Sequence, residues 1–241
     1  MKLENKVAII TGAAKGIGKS IALQLARGGA AVALVDINAE GLAILEAEMA
    51  AESLNAKAYV CDISGEENVK NTITQVLTDF KTVDILVNNA GIWKCDRMPF
   101  VESNSEFWMK KIGINILGTM YFTHGVLPVM LEKKYGRIIN IGSVAGVYGN
   151  RNMADYSMTK GAVIGFTKAL AKEVSGSGIT VNTVSPGNIK LEGEVDNLNL
   201  SFIQRSGTTD ECANVVCFLA SDEASFVSGQ NYLVDGCRKA M

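Results

Sequence analysis

The chain has a single histidine, His124, and five cysteines (Cys61, Cys95, Cys212, Cys217 and Cys237) whose spacing matches no zinc pattern. One imidazole and scattered thiols exclude a conventional zinc site, so no metal is expected and His124 reads as structural. An odd set of cysteines reads as reduced thiols, which implies a cytoplasmic protein. Charge excess is also lacking: 23 Lys and Arg face 25 Asp and Glu, a net charge of −2. Nothing there draws nucleic acid or an anionic membrane. The opening residues, Met1 to Val7, lack the apolar core of a secretory signal. Residues 112–131 form the one long uncharged run, but Asn115, Thr119, His124 and Pro128 interrupt it. With no second run beside it, it reads as a buried helix rather than a membrane span. No linker, repeat or low-complexity tract divides the 241 residues, so a single domain over 1–241 is expected.

Short apolar runs alternate with helical stretches. Strands are expected at Lys6–Thr11, Ala31–Asp36, Lys57–Cys61, Val83–Asn88, Arg137–Ser143, Thr180–Val184 and Asn231–Val234. Helices are expected at Lys15–Arg27, Ala39–Glu52, Glu66–Phe80, Ser103–Lys133, Ala154–Val174 and Thr209–Leu219. This alternation implies an α/β fold, a mostly parallel sheet covered on both faces. Ligands bind such sheets at the carboxyl ends of the strands. That edge would carry Gly12, Asp36, Asn88, Ser143 and Pro186.

Thr11, Gly12, Ala13, Ala14, Lys15, Gly16, Ile17 and Gly18 lie between the first strand and the first helix. Glycines there let the backbone turn tightly and approach a pyrophosphate, and the helix N-terminus offers free N–H groups. Asp36 closes the second strand, where a carboxylate bonds a ribose diol and repels a 2′-phosphate. It favours NAD over NADP; Lys15, a cation in the glycine turn, argues the other way. Asp62, after the third strand, could bond an adenine amino group or cap the helix that begins near Glu66.

Tyr156 and Lys160 stand four residues apart on one expected helix, with apolar Val163, Phe166, Leu170 and Val174 at helical spacing. A phenol and an ammonium on one face make an acid and base, because a nearby cation lowers the phenol's pKa. Ser143 precedes the tyrosine by thirteen residues.

Together these residues resemble the short-chain dehydrogenase/reductase family. The resemblance runs over nearly the whole chain, through the glycine turn, Cys61-Asp62-Ile63, Asn88-Asn89-Ala90-Gly91, Asn115, Ser143, Tyr156, Lys160, Pro186-Gly187 and Val234-Asp235-Gly236. It implies a Rossmann-like, doubly wound domain with a seven-stranded parallel sheet in the order 3-2-1-4-5-6-7. Ser143 would hold the substrate oxygen, Tyr156 would pass the proton, and Lys160 would bind nicotinamide ribose and lower the tyrosine pKa. Asn115 would hold a relay water. Ile63, Asn89, Ala90 and Gly91 would border the adenosine half of the cofactor. Pro186, Gly187 and Ile189 would meet its nicotinamide end. Leu191 departs from the family's usual threonine, a loss that Asn188 could make good, and Cys237 replaces a glycine.

Chain position makes Trp93, Val147, Tyr148 and Met153 candidates for the substrate pocket, with Met98 beside them and Lys94 and Arg97 near the rim. A short lid is expected at 188–208, polar through Glu192, Glu194, Asp196, Asn197 and Asn199, and mobile until cofactor and substrate bind. The leading expectation is hydride transfer between NAD(H) and a small secondary alcohol or ketone. A 3-oxoacyl-thioester reductase using NADPH is the alternative, with a non-catalytic nucleotide-binding protein as a further one. Helices apolar on more than one face imply a homotetramer.

Overall fold

The computed structural model describes residues 2–93, 97–191 and 193–239. In chain order its strands and helices are β1 (Val7–Thr11), α1 (Gly16–Arg27), β2 (Ala31–Asp36), α2 (Ala39–Ala51), β3 (Ala56–Val60), α3 (Glu66–Phe80) and β4 (Ile85–Asn88). A long helix follows in three parts: α4 (Ser105–Lys111), a π-helical stretch (Ile112–Gly118) and α5 (Thr119–Lys133). Then come β5 (Gly136–Ile141), α6 (Val144–Tyr148), α7 (Ala154–Val174), β6 (Ile179–Pro186), α8 (Thr209–Ala220) and β7 (Asn231–Val234).

The strands form one parallel sheet in the order β3-β2-β1-β4-β5-β6-β7. Strands β1, β4, β5 and β6 are buried along their whole length, as parallel strands covered on both faces must be. One apolar layer joins α1, α2 and α8 to the sheet through Ile21, Leu25, Leu42, Leu45 and Val216. On the opposite face α3, α5 and α7 contribute Ile73, Phe122, Val126, Met130 and Leu170. The Ser105–Lys133 helix has the length and hydropathy of a membrane span, yet Phe122, Val126 and Met130 are fully buried against the sheet. His124 is exposed on α5.

A polar seam crosses the middle of this apolar interior. Asn88 and Asn140 sit opposite each other in the β4–β5 register. The Asn88 amide donates to Asn140 Oδ1 at 2.8 Å and to Thr123 Oγ1 at 3.0 Å. Asn140 donates to Thr167 Oγ1 at 2.8 Å, and Thr183 reaches the same oxygen at 2.8 Å.

Several expected boundaries shift. Strand β5 ends at Ile141 rather than Ser143, because Ser143 caps the short helix α6. Strand β6 runs on to Pro186, its last rungs paired with β7. Asp62 does not cap α3: Gly65 holds that position, and Asp62 Oδ1 instead closes a turn by accepting from Ser64 N (3.0 Å) and Ser64 Oγ (2.7 Å). Burial pushes the Cys212 and Cys217 thiols up to about 12, which suits the packing role of two side chains inside α8. Cys95 and Lys94 lie outside the described residues, as does Glu192.

Candidate active site

At the carboxyl end of the sheet the glycine turn is drawn tight. Gly12 and Gly16 take φ of 66° and 59°, a region that side chains disfavour. A Cβ on Gly18 would stand 2.0 Å from the Gly12 carbonyl oxygen, so only glycine lets α1 approach the turn this closely. Helix α1 opens with Lys15 as an exposed, extended cap that makes no side-chain capping bond, and no acidic residue stands in its first turn. Its first N–H groups suit a phosphate. Ile17 packs into the core below.

Two neighbouring strand ends hold this turn in place. The N–H groups of Asn89 and Ala90 donate to Thr11 Oγ1, each at 3.0 Å. The Asn89 side chain donates to the carbonyls of Thr11 (2.9 Å) and Gly12 (3.0 Å). Asp36 accepts from Ala14 N and Asn38 N, both at 3.0 Å, which places a carboxylate beside the glycine turn. Asp62 is exposed near this end. The Ile63 side chain is turned into the core, where Gly118 leaves room for it.

Thirteen residues apart in sequence, Ser143 and Tyr156 come together in the fold. Ser143 Oγ accepts the Ala145 N–H at 3.1 Å, and its hydroxyl acts on the Tyr156 phenol, pulling the pKa down. Lys160, one turn along α7, is buried and donates from Nζ to the Ile141 carbonyl at 2.7 Å. Asn115, on the π-helical stretch, exchanges two hydrogen bonds with the Ile92 backbone (2.8 and 3.1 Å) and donates to Thr159 Oγ1 at 3.1 Å. Both its amide hydrogens are thereby engaged, so the side chain acts as a strut, while Oδ1 keeps a lone pair for a further donor. A Cβ on Gly91 would lie 3.2 Å from Asn115 Oδ1 and 3.4 Å from Lys160 Nζ. The absence of a side chain keeps an opening there, beside the ammonium. Pi-helical turns are frequent at functional sites, and this one holds Asn115.

The electrostatics correct one expectation. Lys160 does not set the acidity of Tyr156 in the protein alone: burial pushes the phenol up, and the Ser143 hydroxyl pulls it part of the way back. The Lys160 ammonium lies 6.0 Å from the tyrosine ring centroid and turns toward Ile141. Burial also drops the Lys160 pKa to about 8, because the charged form is poorly solvated there.

The candidate pocket residues differ in exposure. Trp93, Val147 and Tyr148 are exposed, whereas Met153 is buried at the start of α7. None of the four lines the narrow cleft bounded by Met98, Phe100, Ser103, Phe107, Asn152 and Asp155. Arg97 is exposed at the rim. Beyond Pro186, Gly187 packs against Asp235, and Ile189 bridges Gly207. Leu191 reaches the glycine turn, its Cδ2 lying 3.4 Å from where a Gly16 Cβ would be. The Asn188 amide donates one hydrogen to Ser206 Oγ at 2.7 Å, which leaves its second N–H and its oxygen for another partner. Ser206 Oγ also accepts Asn197 N at 3.0 Å, and Asp196 pairs with Lys190 at 3.5 Å. The segment is thus anchored by buried Ser201 and Ser206, while Val195, Leu198, Phe202 and Ile203 are exposed.

The glycine turn, the Asp36 carboxylate and the gap beside Gly91 fit a dinucleotide: Gly12 to Gly18 for its phosphates, Asp36 for a ribose, Lys160 at the far end. Sequence reasoning missed Thr159, Asp155 and Lys111, which support the site from behind. Their one signal is a shared spacing of four residues, Lys111 to Asn115 and Asp155 to Thr159.

Comparison with known proteins agrees with this geometry. A family model described as enoyl-(acyl carrier protein) reductase matches residues 12–237. The chain is 41% identical to a Thermotoga maritima 3-oxoacyl-[acyl-carrier-protein] reductase, over 98% of each sequence. Among solved structures it is similar to an NAD⁺-bound xylitol dehydrogenase, with a TM-score of 0.91 and 34% identity over 98% of this chain and 100% of the other. It is equally similar to a Brucella melitensis 3-oxoacyl-[acyl-carrier protein] reductase with bound NAD, with a TM-score of 0.91 and 34% identity over 98% of this chain and 91% of the other.

Proposed function

The chain belongs to the short-chain dehydrogenase/reductase family, whose members are NAD(P)-dependent oxidoreductases of carbonyl and CH–OH groups, and we propose that it reduces 3-oxoacyl thioesters to 3-hydroxyacyl thioesters with NADH. This moves the thioester ahead of the small alcohol or ketone that the sequence reading favoured. The observation that carries it is a conjunction. The Brucella relative joins the 3-oxoacyl reductase name to bound NAD, and here a carboxylate, Asp36, stands beside the glycine turn. An acidic side chain there accepts ribose hydroxyls and repels a 2′-phosphate.

When bound, a reduced nicotinamide would supply hydride for the ketone carbon. Everything else is done by the chain. The Ser143 hydroxyl stabilises charge as it develops on the substrate oxygen. Tyr156, a phenol that burial keeps protonated, gives its proton to that oxygen. Lys160 offers an ammonium to the cofactor ribose and to the phenolate left behind. Asn115, braced on Ile92 and Thr159, keeps the π-helical turn against α7.

The test is nicotinamide absorbance with an acetoacetyl thioester and either NADH or NADPH. Oxidation of NADH in preference to NADPH is expected. Oxidation of secondary alcohols or polyols with NAD, and no turnover of the thioester, would favour the second reading, for which the xylitol dehydrogenase likeness speaks. Tight NAD binding without turnover of either class would leave a non-catalytic nucleotide-binding protein.

A further inference from the structure

Lys111, the last residue of α4, is 2% exposed. Lysine is almost never that deeply buried without a partner. Its ammonium pairs with Asp155 Oδ2. The other Asp155 oxygen accepts the backbone N–H of Tyr156 at 2.7 Å. That N–H belongs to the first turn of α7, where amides have no partner inside the helix. Met153, the cap residue, offers no side-chain acceptor. Asp155 fills the gap, and Lys111 fixes Asp155.

A second link lies one turn on. Asn115 donates to Thr159 Oγ1 at 3.1 Å, and Thr159 Oγ1 donates to the Tyr156 carbonyl at 2.9 Å. The two links have the same spacing on both helices, 111 and 115 facing 155 and 159. Both backbone polar groups of Tyr156 are therefore held by side chains tied to the same opposing helix. A buried ion pair is weak evidence for stability, because apolar residues of similar volume would often serve as well. What a charged pair adds here is direction.

We propose that Lys111 and Asp155 are a positioning pair for Tyr156, holding the first turn of α7 at the angle from which the phenol reaches both Ser143 and the substrate oxygen. The proposal rests on the reading of Tyr156 as proton donor. It predicts that losing the pair slows the chemical step without loosening the cofactor, since Asp155 joins Lys111 to the Tyr156 N–H and not to the glycine turn.

The experiment compares wild type, Lys111→Met, Asp155→Asn and the double variant. It measures kcat with NADH and acetoacetyl thioester, NADH affinity by fluorescence, Tm, and amide hydrogen exchange of residues 153–157 and 163–174. Each single variant should lower kcat by roughly tenfold or more, as small misplacements near the reacting atoms do, with NADH affinity within about twofold. Exchange should quicken at 153–157 and stay unchanged at 163–174. The double variant carries no unpaired buried charge, so its Tm should return toward wild type while kcat stays low. Recovery of kcat along with Tm would overturn the proposal, as would unchanged exchange at 153–157 in Lys111→Met. If wild type turns over neither thioester nor alcohol, the proposed function falls, and the exchange measurement still decides whether the pair positions Tyr156.

Discussion

Lys160 Nζ donates to the carbonyl oxygen of Ile141 at 2.7 Å, anchoring a buried ammonium where β5 ends, two residues before Ser143. Burial lowers its pKa from an ordinary 10.5 to about 8. In the unfolded chain the same amine keeps its proton to the higher value. Between the two values the unfolded state binds more protons, so stability rises with pH there. As pH falls through about 8 the folded state takes up the proton and carries its full burial cost. Relative to Lys160→Met, wild type should gain about 1 kcal/mol for each pH unit climbed within this window. Denaturant unfolding of both proteins at about pH 7 and about pH 10 measures it. A stability difference that stays flat with pH would contradict the argument.

Replacing Tyr156 with Phe removes one hydroxyl and little surface. Turnover should fall by about 10² to 10⁴-fold, the usual worth of a positioned proton donor, while NADH affinity stays near that of wild type. Steady-state kinetics and fluorescence titration separate the two effects. Retention of more than about a tenth of wild-type kcat would remove Tyr156 from its role.

Asp36→Ala should act twice. It removes the carboxylate offered to a ribose and releases Ala14 N, which Asp36 holds at 3.0 Å. NADH affinity should fall by about tenfold, the scale of one hydrogen bond to a charged group. NADPH affinity should change less, so the preference narrows. Titration of both cofactors checks it, and a wild type that binds NADPH more tightly would mean that Lys15 governs the choice.

Two glycines should respond differently to the same methyl group. In Gly18→Ala the Cβ would sit 2.0 Å from the Gly12 carbonyl oxygen, a backbone atom that cannot move alone. Stability should drop by about 1–3 kcal/mol or more. In Gly91→Ala the contacts are the ends of two side chains, at 3.2 and 3.4 Å. Stability should change by under about 1 kcal/mol, while cofactor affinity falls because the methyl fills the opening beside Lys160. Thermal melts read beside cofactor titrations distinguish the pair.

A homotetramer would cover the apolar side chains left outside. Met109, Met120, Leu131 and Met158 are exposed on the long helix and α7, and Phe218, Phe226 and Leu233 on or near α8 and β7. A closed assembly built through these two faces buries both sets. Sedimentation at micromolar concentration should show a species of about four times 25.7 kDa; a lone monomer would refute it.

The sheet was legible because buried parallel strands are apolar runs bounded by turns, and β2 and β7 fall where the sequence puts them. Helix α7 was legible for a similar reason, since Val163, Leu170 and Val174 repeat at helical spacing and are buried. Helix α6 was not: five residues are too few to show a period. The π-helical stretch was also hidden, because one extra residue per turn leaves no mark on composition. Lys111 follows Lys110 and looks like solvated surface. Its burial depends on Asp155, 44 positions away. The site residues carried by short motifs stood out, and those that support them through long-range contacts did not.

The Asn88–Asn140 seam bears on how the chain reaches its fold at all. These strands are 52 residues apart in sequence, so their alignment is one among many ways of stacking similar apolar runs. Hydrophobic runs are tolerant of a slip, but a shift by one residue turns every side chain to the opposite face of the sheet. Each amide would then be buried without a partner, at about 1–3 kcal/mol apiece. The asparagines therefore act as a checksum on strand alignment. Their largest effect falls on the misaligned sheets they disfavour, and so on the share of newly made chains that arrive at the active arrangement.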